Sequence, residues 1–360
     1  MSEPNAPQPL PNRRDVASRL AMAQGGPEFA KTGVLLLNMG GPDRLDAVRP
    51  FLNNLFSDRG IIRLPGGRIG QALLGRIIVN ARLKKVKQRY RLIGGGSPIV
   101  RWTTKQMNGL QRVLNDRMHD PPKVGMAMRY WHPFADEALL DLNRAGVERT
   151  IGLTLYPHYT RATTGSSEVD LVEARDRLGL DMSVSFVSQW YDFPGFLDLW
   201  ADILRATLES LDNSVRRRVH IVVSAHGIPQ KFGDGGDPYV DHVKETMEGV
   251  LSRLKDPPDA HLAFQSRSGP VKWVGPGTED VIRELAARGI DALLVWPISF
   301  VSDHIETTYE VGMLFRDLAM EAGVSEYHVV PAFNDDDRFC SVLADLTAAR
   351  MDHSLETPIR

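Results

Sequence analysis

The chain has 360 residues, 42% hydrophobic and 24% charged, the balance of a globular protein and not of a disordered one, with material for one large domain or two. Forty-three Lys and Arg against 45 Asp and Glu leave a net charge of −2, which speaks against a generally basic nucleic-acid binder. The single cysteine, Cys340, excludes an intrachain disulfide and any site that needs two thiolates of one chain.

Residues 1–30 carry Pro4, Pro7, Pro9, Pro11 and Pro27 with few apolar anchors and read as a flexible extension. No signal-peptide core opens the chain, and the longest nearly apolar run, Ala292–Val301, is too short to span a bilayer, so the expected compartment is the cytoplasm. From residue 31 onward short apolar runs alternate with helical patterns. The runs are Gly33–Leu37, Val124–Met128, Arg149–Leu155, Met182–Val187, His220–Ser224, Leu262–Gln265, Ala292–Ile298 and Glu326–Val330. Near-continuous hydrophobicity marks them as parallel strands covered on both faces. Helices are expected between them, among them Ile69–Arg89, Pro98–Arg117, Phe196–Ser210, Tyr239–Leu254, a continuous His304–Ala322 and Asp337–Ala349. This alternation predicts an α/β fold with right-handed crossovers. Eight strands suit two similar domains, residues 31–185 and 186–335, with a last helix at about 336–353 returning to the first.

Ligands of open parallel sheets bind beyond the carboxyl ends of the strands, and the unusual residues fall there. The first strand is followed by Asn38-Met39-Gly40-Gly41-Pro42, the second by Arg129-Tyr130-Trp131-His132, and the third by Tyr156-Pro157-His158-Tyr159 and Thr163–Ser167. The fourth leads to Gln189-Trp190-Tyr191, the fifth to His226-Gly227, and the seventh to Ser299-Phe300-Val301-Ser302-Asp303-His304-Ile305-Glu306. With Trp273 and Trp296, this set would suit a large aromatic ligand with a few polar groups. Gly40-Gly41-Pro42 is a strand-to-helix turn and lacks the dinucleotide fingerprint, and Gly94-Gly95-Gly96 lacks the Lys-Ser/Thr of a phosphate loop. Asp303 with Glu306 matches a capping box, but that leaves Glu310 unexplained. Spaced i, i+3, i+7, the three acids would line one helical face, a row suited to passing cations or protons, with His304 at its start.

These segments, together with Tyr90–Pro98 (YRLIGGGSP), Ser224-Ala225-His226, Asp237-Pro238-Tyr239 and Ser302–Thr307, resemble ferrochelatase over about residues 31–350, in the family's order. The resemblance implies two Rossmann-like domains of chelatase type with the active-site cleft between them. It also implies a lyase that inserts Fe²⁺, as substrate, into protoporphyrin to form haem. On this likeness His226 and Glu306 form the essential pair, also the metal donors, supported by His304, Glu310 and Asp303. Met39, Arg129, Tyr130, Trp273 and Phe300 would bind the porphyrin, with Arg129 near the macrocycle or its propionates. A coproporphyrin-using relative and a non-catalytic porphyrin or metal carrier are the alternative readings. No [2Fe–2S] cluster is expected on one cysteine, and Leu92 stands beside Arg91 where some relatives carry a second basic residue.

The even charge total hides an imbalance. Arg59–Asn115 holds 13 Lys and Arg and no Asp or Glu. Within it Ile69–Arg91 reads as a basic amphipathic helix suited to an anionic membrane surface, so peripheral membrane association is expected and nucleic acid is not.

Overall fold

The computed structural model describes residues 32–59, 65–267, 269 and 271–352. The extension at 1–30 and residues 60–64 of the cationic stretch lie outside them. Among the described residues eight strands form: β1 Thr32–Asn38, β2 Lys123–Met128, β3 Arg149–Thr154, β4 Ser183–Val187, β5 His220–His226, β6 Ala260–Gln265, β7 Ala292–Trp296 and β8 Glu326–Val329. They make two four-stranded sheets of the same order, β2-β1-β3-β4 and β6-β5-β7-β8, parallel throughout. The central strands are the most apolar because both faces are covered. All seven residues of β1 are buried, whereas none of the four in edge strand β8 is.

In a sheet of this order the connections leave in opposite directions after its first and third strands, which opens a crevice between their carboxyl ends. In the second sheet those ends are His226 of β5 and Trp296 of β7. The fold therefore brings the His226 loop against the segment leading to Glu306. β7 leaves the ladder at Trp296, opposite Val223, so on that side the backbone of His226 finds another partner, described below.

One core joins the two sheets. Val34, Leu36, Ile151 and Leu153 of the first and Ile221, Val223, Leu294 and Trp296 of the second belong to it, together with Phe196, Trp200 and Leu204 of the helix Pro194–Ser210. Trp200 and Trp296 are fully buried and meet edge to face at 5.5 Å. Trp296 is thus a core residue and not part of a ligand surface, contrary to the sequence reading. Trp190 corrects in the same way, being fully buried with its indole N–H donated to the Thr154 carbonyl at 2.8 Å. The last helix, Asp337–Met351, buries Phe339, Leu343 and Leu346 in the same core, beside Leu110 and Leu114 of the helix Ile99–Arg117. Arg117 and Asp345 tie these two helices at 2.8 Å. Removing an anchor such as Trp200 would cost about 3–5 kcal/mol.

Both glycine-rich loops have structural work. Gly40 takes a φ of +77° in the turn after β1, a region favourable only to glycine. Ser97 after the triple glycine donates its N–H to the Pro42 carbonyl at 2.7 Å, and a side chain on Gly41 would strike Ser97.

Candidate active site

His226 is the last residue of β5, and its place is fixed from three sides. It lies in register with Gln265 of β6. Its neighbour Gly227 packs so closely that a Cβ there would meet the Gln265 carbonyl at 2.6 Å. Its backbone N–H donates to Ser299 Oγ at 3.2 Å, the partner that the departing β7 does not supply. The imidazole Nδ1 lies 2.8 Å from Glu306 Oε2, with the two side chains 34% and 25% exposed. Trp273 packs against Gly227, its ring 3.5 Å from where a Cβ on that glycine would stand, and the Phe300 ring stands edge-on to His226 at 6.2 Å.

Glu306 does not begin an α-helix. The expected continuous helix is a nine-residue π-helix, Glu306–Leu314, running into an α-turn pair at Phe315–Glu321. With more than four residues to a turn, Glu306 and Glu310 stand almost one above the other. Such widened turns cluster at functional sites. Asp303 does not join them. It precedes the helix, accepts from the Thr307 hydroxyl at 3.0 Å and the Asn334 side-chain amide at 2.8 Å, and receives no bond from a helix N-terminus that would make it a cap. The capping box is therefore absent, and the acid row shortens to Glu306 and Glu310. His304 Nδ1–H donates to the Ser302 carbonyl at 3.1 Å, and its Nε2 stands 3.8 Å from Glu306 Oε2. The Phe300 ring lies 4.6 Å from that of His304.

Residues beyond the sequence set hold this row. Ser266 and Gln265, at the end of β6, donate to Glu310 Oε2, Gln265 at 3.2 Å. Gln265 is oriented in turn by Ser224, which donates to its Oε1 at 2.7 Å. Ser266 and Asn334 have positive φ, 63° and 50°, conformations that L-residues hold only when their surroundings impose them. Ser266 directs its side chain at Glu310 within the π-helix, and Asn334 directs its own at Asp303 just before it. Gln106, fully buried on the first half's helix Ile99–Arg117, donates to Ser302 Oγ at 2.7 Å and the Asn334 carbonyl at 2.6 Å, so the first half anchors this loop.

The electrostatics divide the proton affinities. Burial alone would lower the His226 pKa, but Glu306, with Glu310 behind it, holds it above the ordinary histidine range. Burial would raise Glu306, yet the facing His226 and His304 hold it well below the carboxylate range. Glu310 is raised, by burial first and then by Glu306. Tyr90, from the first half's helix Gly67–Leu92, feels the Glu306 charge as well as burial, and both raise it. Ile305 packs into a cluster with Met39, Tyr90 and Tyr130. The segment that carries the acid row thus faces residues of the first half.

Arg129 lies at the end of β2, as its sequence position requires, but its guanidinium is committed within the protein. It reaches Asp58 at 2.8 Å, Asp170 at 3.3 Å and Ser166 at 2.8 Å. Tyr130 donates its hydroxyl to the same Asp58 at 2.7 Å. Arg129, Tyr130, Asp58 and Asp170 line a polar cavity of about 320 Å³ with Arg177 and Asp136. His132 lies outside the site, exposed and bonded to Glu137. Among the described residues no group of three or more His, Cys, Asp or Glu is arranged to hold a metal ion, so His226 and Glu306 present one nitrogen and one carboxylate.

The family model for ferrochelatase matches residues 31–351. The chain is 44% identical over 316 residues to a ferrochelatase of Geobacter metallireducens, covering 88% of this chain and 97% of that one. It is 42% identical over 321 residues to a ferrochelatase of Synechocystis, covering 88% and 82%. Among solved structures, SirB from Bacillus subtilis with Fe³⁺ superposes with a TM-score of 0.53 at 11% identity, over 89% of this chain and 94% of that one. At that identity the likeness is one of fold.

Proposed function

The chain belongs to the ferrochelatase family and inserts Fe²⁺ into a porphyrin in haem synthesis, and from that premise we infer that protoporphyrin is its substrate and His226 its proton acceptor. The carrier reading gives way to an enzyme. The observation that carries the proposal is the His226–Glu306 pair at 2.8 Å, standing at the switch point of the second sheet.

Two pyrrole protons must leave as a divalent metal enters. With Nδ1–H directed at Glu306, a neutral His226 keeps the Nε2 lone pair for a pyrrole proton, the tautomer being set by the carboxylate partner. A base whose pKa lies near working pH suits this task. Glu306 stabilises the imidazolium that forms. Glu310, with the greater proton affinity of the two acids, can then take charge or proton outward, so that Glu306 and Glu310 act as the conduit for protons or iron. Imidazole and carboxylate both suit Fe²⁺, and a pair of donors holds it loosely enough to release it. His304 supports Glu306 from the other side. Met39, Trp273 and Phe300 are the proposed cleft walls; Tyr130, 1% exposed with its hydroxyl on Asp58, offers a macrocycle almost no surface, contrary to the sequence reading.

The preference for protoporphyrin rests on two features. Thr163–Ser167 and Ile305-Glu306-Thr307 resemble the protoporphyrin-using group. Arg129 is already neutralised by Asp58 and Asp170, which favours the less carboxylated of the two porphyrins. Turnover on both under anaerobic conditions tests this: kcat/KM should be higher for protoporphyrin, and a higher value for coproporphyrin would reverse the assignment.

The reading includes a membrane surface. On the helix Gly67–Leu92, Val79 and Gln71 face inward while Ile69, Leu73 and Ile77 are 77%, 56% and 62% exposed. Arg76, Arg82, Lys84 and Lys85 are exposed on the same helix. An apolar stripe among cations suits reversible attachment of a cytoplasmic enzyme to anionic lipid. Among the described residues no helix is long and apolar enough to cross a membrane. Cys340 as the one cysteine favours an enzyme without an iron–sulfur cluster, since such clusters use four thiolates.

A further inference from the structure

A set of buried and half-buried hydrogen bonds runs from the loop after β3 to the backbone of His226. Asp237 is 6% exposed. Its Oδ2 accepts from the Thr160 hydroxyl and from the Arg161 backbone N–H, each at 2.9 Å. Its Oδ1 accepts from the backbone N–H of Tyr239 at 3.2 Å, where the helix Tyr239–Leu251 begins. The Tyr239 hydroxyl is hydrogen-bonded to Ser299 Oγ at 2.7 Å, and Ser299 Oγ receives the His226 N–H. Tyr239 is 4% exposed, which leaves it almost no surface with which to meet a macrocycle.

Two features make this more than local packing. Ser299 replaces the ladder bond that β7 no longer offers His226, so on that side the strand end is held by a side chain, while β6 holds the other side. The other end of the chain lies in the loop after β3, in the first half, where Thr160 caps and Arg161 opens the other π-helical turn, Arg161–Gly165. The imidazole of His226 is therefore set by Glu306 at its side chain and, through Ser299, by a loop of the opposite half at its backbone.

We propose that Asp237, Tyr239 and Ser299 are positioning residues that couple the loop after β3 to His226, so that the base is aligned when that wall of the cleft is in place. The proposal rests on His226 being the proton acceptor. Because the relay acts on alignment and not on binding, its loss falls on kcat. One buried hydrogen bond corresponds to about a fivefold change in rate.

The test is steady-state haem formation from Fe²⁺ and protoporphyrin, under anaerobic conditions, by the full chain and by Tyr239→Phe, Ser299→Ala, Thr160→Val and the double variant Thr160→Val/Tyr239→Phe. Each single variant should lose about fivefold in kcat with KM within about twofold. The double variant should fall no further than the worse single one, as members of one chain do. Ser299→Thr, which keeps the hydroxyl, should stay near the parent. Unchanged kcat in Tyr239→Phe and Ser299→Ala, a loss confined to KM, or losses that multiply in the double variant would overturn the relay. If Tyr239→Phe does not fold, Ser299→Ala carries the test. His226→Ala is run alongside: if it retains turnover, the assignment of His226 fails, whereas an inactive His226→Ala with normal relay variants refutes the relay alone.

Discussion

Glu306→Gln separates a proton-handling group from a structural one. The substitution keeps size and one acceptor oxygen but removes the charge that faces His226 at 2.8 Å. Charges about 4 Å apart interact by about 4 kcal/mol at an effective dielectric of about 20. His226 and Glu306 are 34% and 25% exposed, and both ions lose hydration in pairing, so the net contribution to folding is about 1 kcal/mol. The sign follows from the two shifts. Glu306 is depressed, so its share is present above the unfolded carboxylate value of about 4.3 and is lost as pH falls below it. His226 is raised, so its share is complete below the unfolded value of about 6.5 and is lost as pH rises through its folded pKa. Stability lost on substitution is therefore greatest between about pH 4.3 and 6.5 and shrinks toward alkaline pH. For catalysis, removing the carboxylate leaves burial to dominate His226, which moves the acid limb of kcat/KM to lower pH, while kcat falls by about 10²- to 10⁴-fold. The assays are urea denaturation across pH and anaerobic haem formation across pH. An unmoved acid limb with kcat near the parent value would refute the reasoning and leave Glu306 a structural partner of His226.

Asp303→Asn should lower stability by about 1–3 kcal/mol in denaturant titration, because the carboxylate accepts from both Thr307 and Asn334, yet leave kcat within about threefold; a collapse of kcat at unchanged stability would return Asp303 to the acid row. The protein should bind anionic vesicles in sedimentation assays, less so as salt rises and little to neutral ones. Replacing Arg82, Lys84, Lys85 and Lys87 by Gln should weaken that binding and leave turnover on detergent-solubilised porphyrin nearly unchanged. Wild-type protein that ignores anionic vesicles at low salt would make the helix an ordinary solvated face.

The strands were legible because burial on both faces writes itself as unbroken apolar runs, and each of the eight expected runs is a strand. The strand-end rule then singled out His226, His304 and Glu306, which the structure brings together. It failed where sequence spacing stood in for geometry. Asp303, Glu306 and Glu310 have α-helical spacing, but the segment is a π-helix that starts after Asp303, and nothing in apolar periodicity distinguishes the two windings. Trp296 looked like a cleft aromatic because a strand's last residue can face either way, and here it faces the core. The likeness put Arg129 near the macrocycle or its propionates, and the sequence could not show that Asp58 and Asp170, distant in the chain, engage its guanidinium. Gln265 and Ser266 could have been found, since they follow β6 as His226 follows β5. Ser299 and Tyr239 stand in segments that the sequence singled out, but their hold on His226 could not be read, because it depends on which backbone group the departing β7 leaves unpaired.

The central claim, that His226 receives the pyrrole protons, is tested most directly by His226→Ala with binding and turnover measured separately. Porphyrin binding is followed by fluorescence titration, and haem formation from Fe²⁺ and protoporphyrin by absorbance under anaerobic conditions. The account predicts binding within about threefold of the parent and turnover reduced by about 10²- to 10⁴-fold. Turnover near that of the parent, with haem formed in excess of enzyme, would contradict it.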